Sequence, residues 1–389
     1  MYKVKTLNNI KSQALEKLVG DRYAVSADFD APDAIIVRSA DMHEMKFNAE
    51  LLCIARAGAG VNNIPLDRCA GEGIIVFNTP GANAEAVKEL VLCSMLLSSR
   101  DIIGGIEWVK SIASEGDNIA PLVEKQKAQY VGPELIGKTL GVVGLGAIGA
   151  KIARAATALG MNVYGYDPYL SVEAAWRLSS DIIQANDLET IYKNSDYITL
   201  HVPYLESTHN MINSASIKKM KQGARIINIA RAELVNDDDI LSAIESGQIS
   251  CYVTDFPNAK MIGKPGVIAI PHLGASTPES EDKCVDMACS EIIEYIENGN
   301  IMNSVNMPGV YLPRSGDPRV CVIHDNVPDM IAKITGAVSA FGVNIENSIY
   351  ASTKGRLPSY MMLDVNTLPD GLEQALKDIK GVARVRILP

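Results

Sequence analysis

The sequence predicts an α/β protein with two Rossmann-like, doubly wound domains and a C-terminal ferredoxin-like βαββαβ domain. Three observations carry that expectation. Short apolar runs alternate with helical segments through residues 1–300, as a parallel sheet with crossover helices requires. One of those runs, LGVV, passes into the turn Gly144-x-Gly146-x-x-Gly149 and then into a helical pattern, the layout of a dinucleotide-binding strand–turn–helix. The segment 319–389 changes pattern to strand, helix, two strands, helix, strand.

In chain order, the runs YKVKTL, AIIVRS, LLCIARAGAG and GIIVFNTP predict the four strands of a first domain covering residues 1–86. Residues 84–109 are apolar at helical spacing and predict one long connecting helix. Residues 87–275 then hold LGVV, NVYGYD, YITLHV, RIINIA, CYVTD and VIAI, six strands of one central sheet. An amphipathic helix over 278–298 is expected to return the chain to the first domain, completing it with residues 276–305. The stretch NMPGVYLPRSGDP, at 306–318, reads as a linker because proline and glycine interrupt both periodicities. In the terminal domain, RVCVIH, NIENSIYAS, SYMMLDVN and RVRIL are the strands, with PDMIAKITGAVSAFG and LEQALKDIK as the helices.

Composition narrows the function. With 47% hydrophobic and 21% charged residues the chain is an ordinary globular mixture, and no apolar run approaches the ~20 residues that span a bilayer. The opening MYKVKTLNNI carries no signal-peptide core, and the seven cysteines are scattered without paired spacing. Reduced thiols in a cytoplasmic protein are the expectation. A net charge of −10 argues against nucleic acid and anionic membranes as partners, and requires any anionic substrate to find a local Arg or Lys cluster.

The glycine turn is the first site. Gly144 permits a tight turn, Gly146 leaves the backbone bare for a pyrophosphate, and Gly149 lets the helix lie close on the strand. Ala147 and Ile148 open that helix, whose free N–H groups and dipole favour phosphate. Asp167, 21 residues beyond Gly146 and just after strand NVYGY, is placed to accept hydrogen bonds from a ribose diol and to repel a 2′-phosphate, so the expected cofactor is NAD. His201, Val202 and Pro203, which follow strand YITL, also lie at the carboxyl edge where such sheets bind ligands.

Reactive side chains belong at that same edge. Of five histidines, His201 and His272 follow strands of the central sheet. His272 sits in the glycine-bearing turn Pro271-His272-Leu273-Gly274 and is the better-placed acid/base. Arg231, directly after Ala230 at the end of RIINIA, is the first residue free to project beyond the sheet and can grip a carboxylate bidentately. Its competing role is an ion pair with Glu233 or Asp237. Asp255 ends CYVTD and is placed to hold the nicotinamide; its competing role is a turn cap. Arg38-Ser39, after strand AIIV, and Arg56, ending LLCIA, are the candidates for an anionic substrate end.

These runs together resemble the D-isomer-specific 2-hydroxyacid dehydrogenases. The motifs that carry the resemblance are Asn228-Ile-Ala-Arg231, Pro271-His272-Leu-Gly-Ala-Ser-Thr, the glycine turn, Arg56-Ala-Gly-Ala-Gly60, Asn78-Thr-Pro-Gly-Ala-Asn83 and Ile136-Gly-Lys-Thr-Leu-Gly141. With the terminal domain, the chain resembles the branch that converts 3-phosphoglycerate and NAD to 3-phosphohydroxypyruvate and NADH at the start of L-serine synthesis. The resemblance implies that Arg231 binds the substrate carboxylate and carbonyl and that His272 is the acid/base. It also implies that Ala57, Gly58 and Asn83 hold the substrate, that Arg38-Ser39 faces it, and that the chain forms a homodimer or homotetramer through helices such as 84–109.

One departure stands out. The family usually carries a glutamate about five residues after the aspartate matched by Asp255, paired with the histidine. Here DFPNAKMIGKPG has no acid after Asp255, and Lys260 or Lys264 falls near the missing place. The alternatives are a hydroxypyruvate, glyoxylate or 2-oxoglutarate reductase, and a non-catalytic NAD-sensing protein. The terminal domain resembles an ACT domain, and that resemblance implies L-serine bound between paired domains by His324, Asn326 and Asn344, with Asp329 replacing a usual glycine.

Overall fold

A computed structural model describes the chain except for residues 9, 11, 177 and 354–357. It divides into two compact units, Met1–Ala82 with Glu281–Pro389, and Asn83–Ser280.

The first unit begins with a parallel sheet of strands β1 (Tyr2–Thr6), β2 (Tyr23–Ser26), β3 (Ala34–Val37), β4 (Cys53–Arg56) and β5 (Ile75–Asn78), in the order β2-β1-β3-β4-β5. Helix α1 (Leu66–Gly71) precedes β5. Strand β2 was not expected, because YAVS is short and only its first residue is buried. The order reverses direction between β1 and β3, so the carboxyl ends of these two strands form the place where such sheets take a ligand.

The second unit opens on helix α2 (Ala84–Ser99), followed by α3 (Ile102–Ser111) and α4 (Ile119–Gln126). The single helix expected over 84–109 is therefore two. Arg100 is extended, at φ −128° and ψ 145°, and the Asp101 side chain accepts the Gly104 N–H at 2.9 Å to start a new helix. The Asp101 cap outcompetes continuation of the apolar period.

The parallel sheet of this unit follows. Its strands are β6 (Thr139–Val143), β7 (Asn162–Tyr166), β8 (Ile182–Gln184), β9 (Tyr197–Leu200), β10 (Ala224–Asn228), β11 (Ile249–Thr254) and β12 (Val267–Ala269), ordered β12-β11-β10-β9-β6-β7-β8. Helices α5 (Ala147–Ala158), α6 (Val172–Ala175), α7 (Leu188–Asn194), α8 (Ser214–Ile217) and α9 (Asp237–Glu245) connect them. The edge strand β8 is the seventh that six apolar runs did not reveal; none of its three residues is buried. Order reverses between β6 and β9, which puts the glycine turn and His201 side by side.

Helix α10 (Pro278–Asn298) leads to the C-terminal sheet of β13 (Arg319–His324), β14 (Ile345–Ala351), β15 (Ser359–Val365) and β16 (Val382–Leu388). It is antiparallel, in the order β14-β15-β13-β16, with helices α11 (Met330–Ala340) and α12 (Leu372–Lys377). This is the expected βαββαβ unit. Strands β13 and β15 are buried at every position, and strand alternation explains why. Val320, Val322, Met361 and Leu363 face α11 and α12, while Cys321, Ile323, Tyr360 and Met362 join Cys53, Phe77 and α10 in the core of the first unit.

The stretch 306–318 is not a slack linker. Asn306 is buried, accepts the Val76 N–H and donates to the Ile74 carbonyl, both at 2.8 Å; Met307, Val310 and Leu312 are buried in the same core. Its prolines and glycines shape a packed connection. Among the described residues, no helix is long and apolar enough to cross a membrane.

Candidate active site

The glycine turn is shaped by what a side chain would strike. Gly144 has φ +91°, and a Cβ there would lie 2.5 Å from the His201 carbonyl oxygen. At Gly149 it would lie 1.9 Å from the Gly144 carbonyl oxygen, so that helix and strand touch backbone to backbone. Beside Gly146 there is nothing within 4 Å. That open face meets the start of α5, where no side chain caps the helix and the first N–H groups remain for an anion.

Asp167 is tied to the turn. One carboxylate oxygen accepts the Leu145 N–H and the other accepts the Tyr169 N–H, each at 2.9 Å. Both oxygens keep lone pairs for a ribose diol. The residues present therefore fit a dinucleotide without a 2′-phosphate.

His201 lies beside this turn but is no proton acceptor. Its Nε2 is 2.8 Å from Thr199 Oγ1, and burial pushes its pKa down to about 3. Val202 packs at Gly144, where a Cβ would come 3.0 Å from its side chain. The Pro203 carbonyl accepts the Thr208 hydroxyl at 2.8 Å.

Three side chains converge past the ends of β10, β11 and β12. Buried Asn228 turns its side chain back on the loop: Oδ1 accepts the N–H groups of Ala230 at 3.2 Å and Arg231 at 3.4 Å, and Nδ2 donates to the Arg231 carbonyl at 2.8 Å. Arg231 is thereby presented at the surface, its Nη1 donating to the Ala230 carbonyl at 2.6 Å. Among the described residues it makes no ion pair with Glu233 or Asp237, so the competing role is not realised. His272 is exposed on the turn after β12, its ring 4.9 Å from that of Phe256 and tilted by 57°.

Asp255, only 1% exposed, joins them. Burial raises its pKa, and the nearby His272, the Gly274 and Asp255 N–H groups and Arg231 pull the other way. Both carboxylate oxygens are buried, with only the nearby Gly274 and Asp255 N–H groups turned toward them. Gly274 is buried against Asp255, Ile229 and Val87. Lys260 does not fill the place of the missing glutamate, because its Nζ donates to both oxygens of Asp238 on α9, at 2.8 and 3.0 Å. Lys264 is exposed on the turn before β12.

Asn228 and Phe256 were not singled out as site residues. An Asn followed by backbone donors at a strand end is an Asx-turn signal, so Asn228 was within reach; nothing in the sequence pairs Phe256 with His272.

In the first unit, Arg38 and Ser39 lie where the order reverses. Asn8 Oδ1 accepts the N–H groups of Arg38, Ser39 and Ala40 at 3.0–3.2 Å, joining the loops after β1 and β3. Arg56 Nε donates to the Arg38 carbonyl at 3.1 Å, and its guanidinium crosses Gly58 so closely that a Cβ there would meet Nη1 at 2.0 Å. The Ala57 N–H donates to Val37. The Arg38 guanidinium pairs with Glu281 on α10 at 2.6 Å. Asn83 opens α2 in the other unit, its buried Oδ1 without a partner among the described residues.

The terminal-domain candidates separate. Buried His324 donates through Nδ1 to the Asp325 carbonyl at 2.8 Å, stacks on Tyr350, and leaves Nε2 unpartnered among the described residues. The Tyr350 hydroxyl donates to Asn326 Oδ1 at 3.4 Å. Asn344 instead donates to Glu346 at 2.7 Å, at the start of β14. Asp329 has φ +67°, a conformation that favours glycine and tolerates Asp.

Comparison with known proteins agrees with this geometry. Residues 92–274 match the family model described as "D-isomer specific 2-hydroxyacid dehydrogenase, NAD binding domain". The chain is 34% identical to the D-3-phosphoglycerate dehydrogenase of Bacillus subtilis over 72% of its own length and 52% of that protein's, so it spans about half of that relative. Against the D-3-phosphoglycerate dehydrogenase of Haemophilus influenzae the identity is 32%, over 87% of this chain and 82% of the relative. Against the hydroxypyruvate reductase of Thermotoga maritima it is 37%, over 64% and 80% respectively. Glycine turn, Asp167, Arg231, Asp255 and His272 all fall within the matched NAD-binding segment, and the chain belongs to the D-isomer specific 2-hydroxyacid dehydrogenase family.

Proposed function

We propose that the chain oxidises 3-phospho-D-glycerate to 3-phosphohydroxypyruvate with NAD, the first step of L-serine biosynthesis. The observation that carries a dehydrogenase reading is the convergence of Arg231, Asp255 and His272 at three successive strand ends in the unit that holds the glycine turn. The Haemophilus relative, matched over most of both chains, favours phosphoglycerate as the substrate. NAD, when bound, supplies the hydride acceptor. Arg231 grips the substrate carboxylate and stabilises the carbonyl oxygen that develops at C2. His272 takes the C2 hydroxyl proton. Asp255, electrostatically linked to both, favours their charged forms whenever it is ionised. Arg38, Ser39, Arg56, Ala57, Gly58 and Asn83 bind the substrate's anionic ends.

A second reading, reduction of hydroxypyruvate or glyoxylate, is favoured by the Arg38–Glu281 pair, which offsets one of the two charges available to a phosphate. NADH formation at 340 nm separates these readings. With 3-phosphoglycerate, D-glycerate, glycolate and 2-hydroxyglutarate offered in turn, the highest kcat/KM is expected with 3-phosphoglycerate. A higher value with D-glycerate or glycolate supports the second reading, and no turnover with any of them supports a non-catalytic NAD sensor.

The reading includes a cytoplasmic homodimer or homotetramer. Its support is α3, none of whose residues is buried and whose Ile102, Ile103, Ile106 and Val109 are 38–50% exposed, an apolar stripe that association would cover. It also includes L-serine as an inhibitor at an ACT domain formed by β13–β16. The unpartnered His324 Nε2 and the nearby Asn326 support that assignment. Millimolar L-serine is expected to inhibit, and Asn344→Ala to raise the half-inhibiting concentration about 10-fold or more, the loss of a hydrogen bond to a charged group. Full activity at millimolar L-serine means that the two sites are not coupled, which removes the regulatory part and leaves the dehydrogenase.

A further inference from the structure

Beyond Asp167 the chain leaves three large apolar side chains in water: Tyr169 is 86% exposed, Val172 75% and Trp176 84%. Isolated exposed apolar groups need no explanation, but Val172 and Trp176 line one concavity. A pocket of 640 Å³ lies against the end of β7, lined in part by Leu145, Asp167, Val172, Trp176, Leu178 and Ile182. Its size is that of a small-molecule site. Its walls are mostly apolar, and its charged group is the carboxylate whose two oxygens are fixed by the Leu145 and Tyr169 N–H groups.

The occupant follows from that chemistry. A group that fills the pocket presents a hydroxyl pair to Asp167 and a flat, weakly polar body to the aliphatic wall. The glycine turn next to Leu145 fixes where a pyrophosphate attaches, so the flat body is the adenine of the dinucleotide. Short helix α6, started by the Ser171 hydroxyl accepting the Ala174 N–H at 3.1 Å, carries Trp176 to the rim directly after its last residue.

We propose that Trp176 closes over the adenine ring as a stacking residue, so that adenine lies between the indole and the aliphatic floor formed by Leu145 and Ile182. Stacking of a base on an aromatic side chain contributes about 1–3 kcal/mol, roughly a 5- to 150-fold change in affinity. The contribution belongs to cofactor binding and is the same before and after hydride transfer, so it acts on KM for NAD and not on turnover.

Tryptophan fluorescence gives a readout independent of activity, since the chain has only two tryptophans, Trp108 and Trp176. Saturating NAD, ADP-ribose or AMP is expected to change the emission of the wild-type protein, whereas nicotinamide mononucleotide, which lacks adenine, leaves it unchanged. Trp176→Phe keeps a stacking ring: calorimetry is expected to give NAD affinity within about threefold of wild type while the emission change disappears. Trp176→Ala is expected to weaken NAD and AMP 5-fold or more with kcat unaltered. Trp176 is exposed, so both variants should fold as the parent does. Wild-type affinity in Trp176→Ala, or an emission change that persists in Trp176→Phe, overturns the proposal.

Discussion

Replacing His272 by alanine is expected to lower turnover by about 10²–10⁴-fold, the usual contribution of a positioned general base, while NAD affinity stays at its wild-type value. Among the described residues, the neighbouring candidates cannot take over. His201, the other histidine at the sheet's carboxyl edge, is held by Thr199 and pushed by burial to a pKa of about 3. At pH 7 only about one ring in 10⁴ is then protonated, and so weak a base has little tendency to accept a hydroxyl proton. Asp255 is buried behind the turn, and burial favours its neutral form. Lys260 is bound to Asp238 and faces α9. NAD binding is spared because the glycine turn and Asp167 owe nothing to the imidazole. Steady-state rates, with NAD affinity measured separately by calorimetry, provide the test. Turnover within threefold of wild type in His272→Ala would remove His272 from the chemistry.

What was legible in the sequence follows a physical rule. Strands buried on both faces are continuous apolar runs, so β3, β6, β9 and β13 stood out, and with them the loops carrying Arg38, Gly144 and His201 and the strand end at His324. The two missed strands, β2 and β8, lie at sheet edges, where one side is solvated and the apolar signal fades. Arg231 and His272 were visible because a polar residue after a buried run has only the sheet's carboxyl edge to occupy. What stayed hidden depends on tertiary neighbours. The Arg38–Glu281 pair joins residues far apart in the chain, as does the Asn8 side chain that gathers three N–H groups of the next loop. The break at Arg100–Asp101 was readable in principle, since Asp101 is a good helix start, but the apolar period runs through it and was given more weight. The stretch 306–318 misled for the opposite reason. Proline and glycine mark where periodicity stops, and they do not say whether the segment is solvated or packed.

Arg319→Leu is expected to destabilise the first unit by about 3–5 kcal/mol, the cost of leaving a buried charge without its partner. Arg319 and Asp364 are both fully buried, and Arg319 donates to both carboxylate oxygens, at 2.6 and 3.0 Å. Its remaining N–H groups donate to the carbonyls of Asn298, Leu312 and Pro313 at 2.7–2.9 Å. The first of these acceptors belongs to the last turn of α10, a helix with no basic residue of its own there. Carbonyls at a helix C-terminus lack intrahelical partners, and the terminal sheet supplies them. Arg386 donates to Tyr295 and Ile296, at 2.9 and 2.7 Å, and the Tyr360 hydroxyl to Gly299 at 2.7 Å. Both guanidinium groups also sit at the negative end of the helix dipole, which favours a cation. The terminal sheet is thus part of the first unit's core, and the lesion should unfold that unit while residues 83–280 keep their glycine turn. Urea titration read by circular dichroism is expected to show an early partial transition in Arg319→Leu, with NAD binding retained beyond it. Removing the carboxylate as well, in Arg319→Leu/Asp364→Leu, should recover part of the loss, since the uncompensated charge disappears while the three carbonyls remain unpaired. A single variant as stable as wild type would mean that the buried pair contributes nothing to holding the terminal sheet on α10.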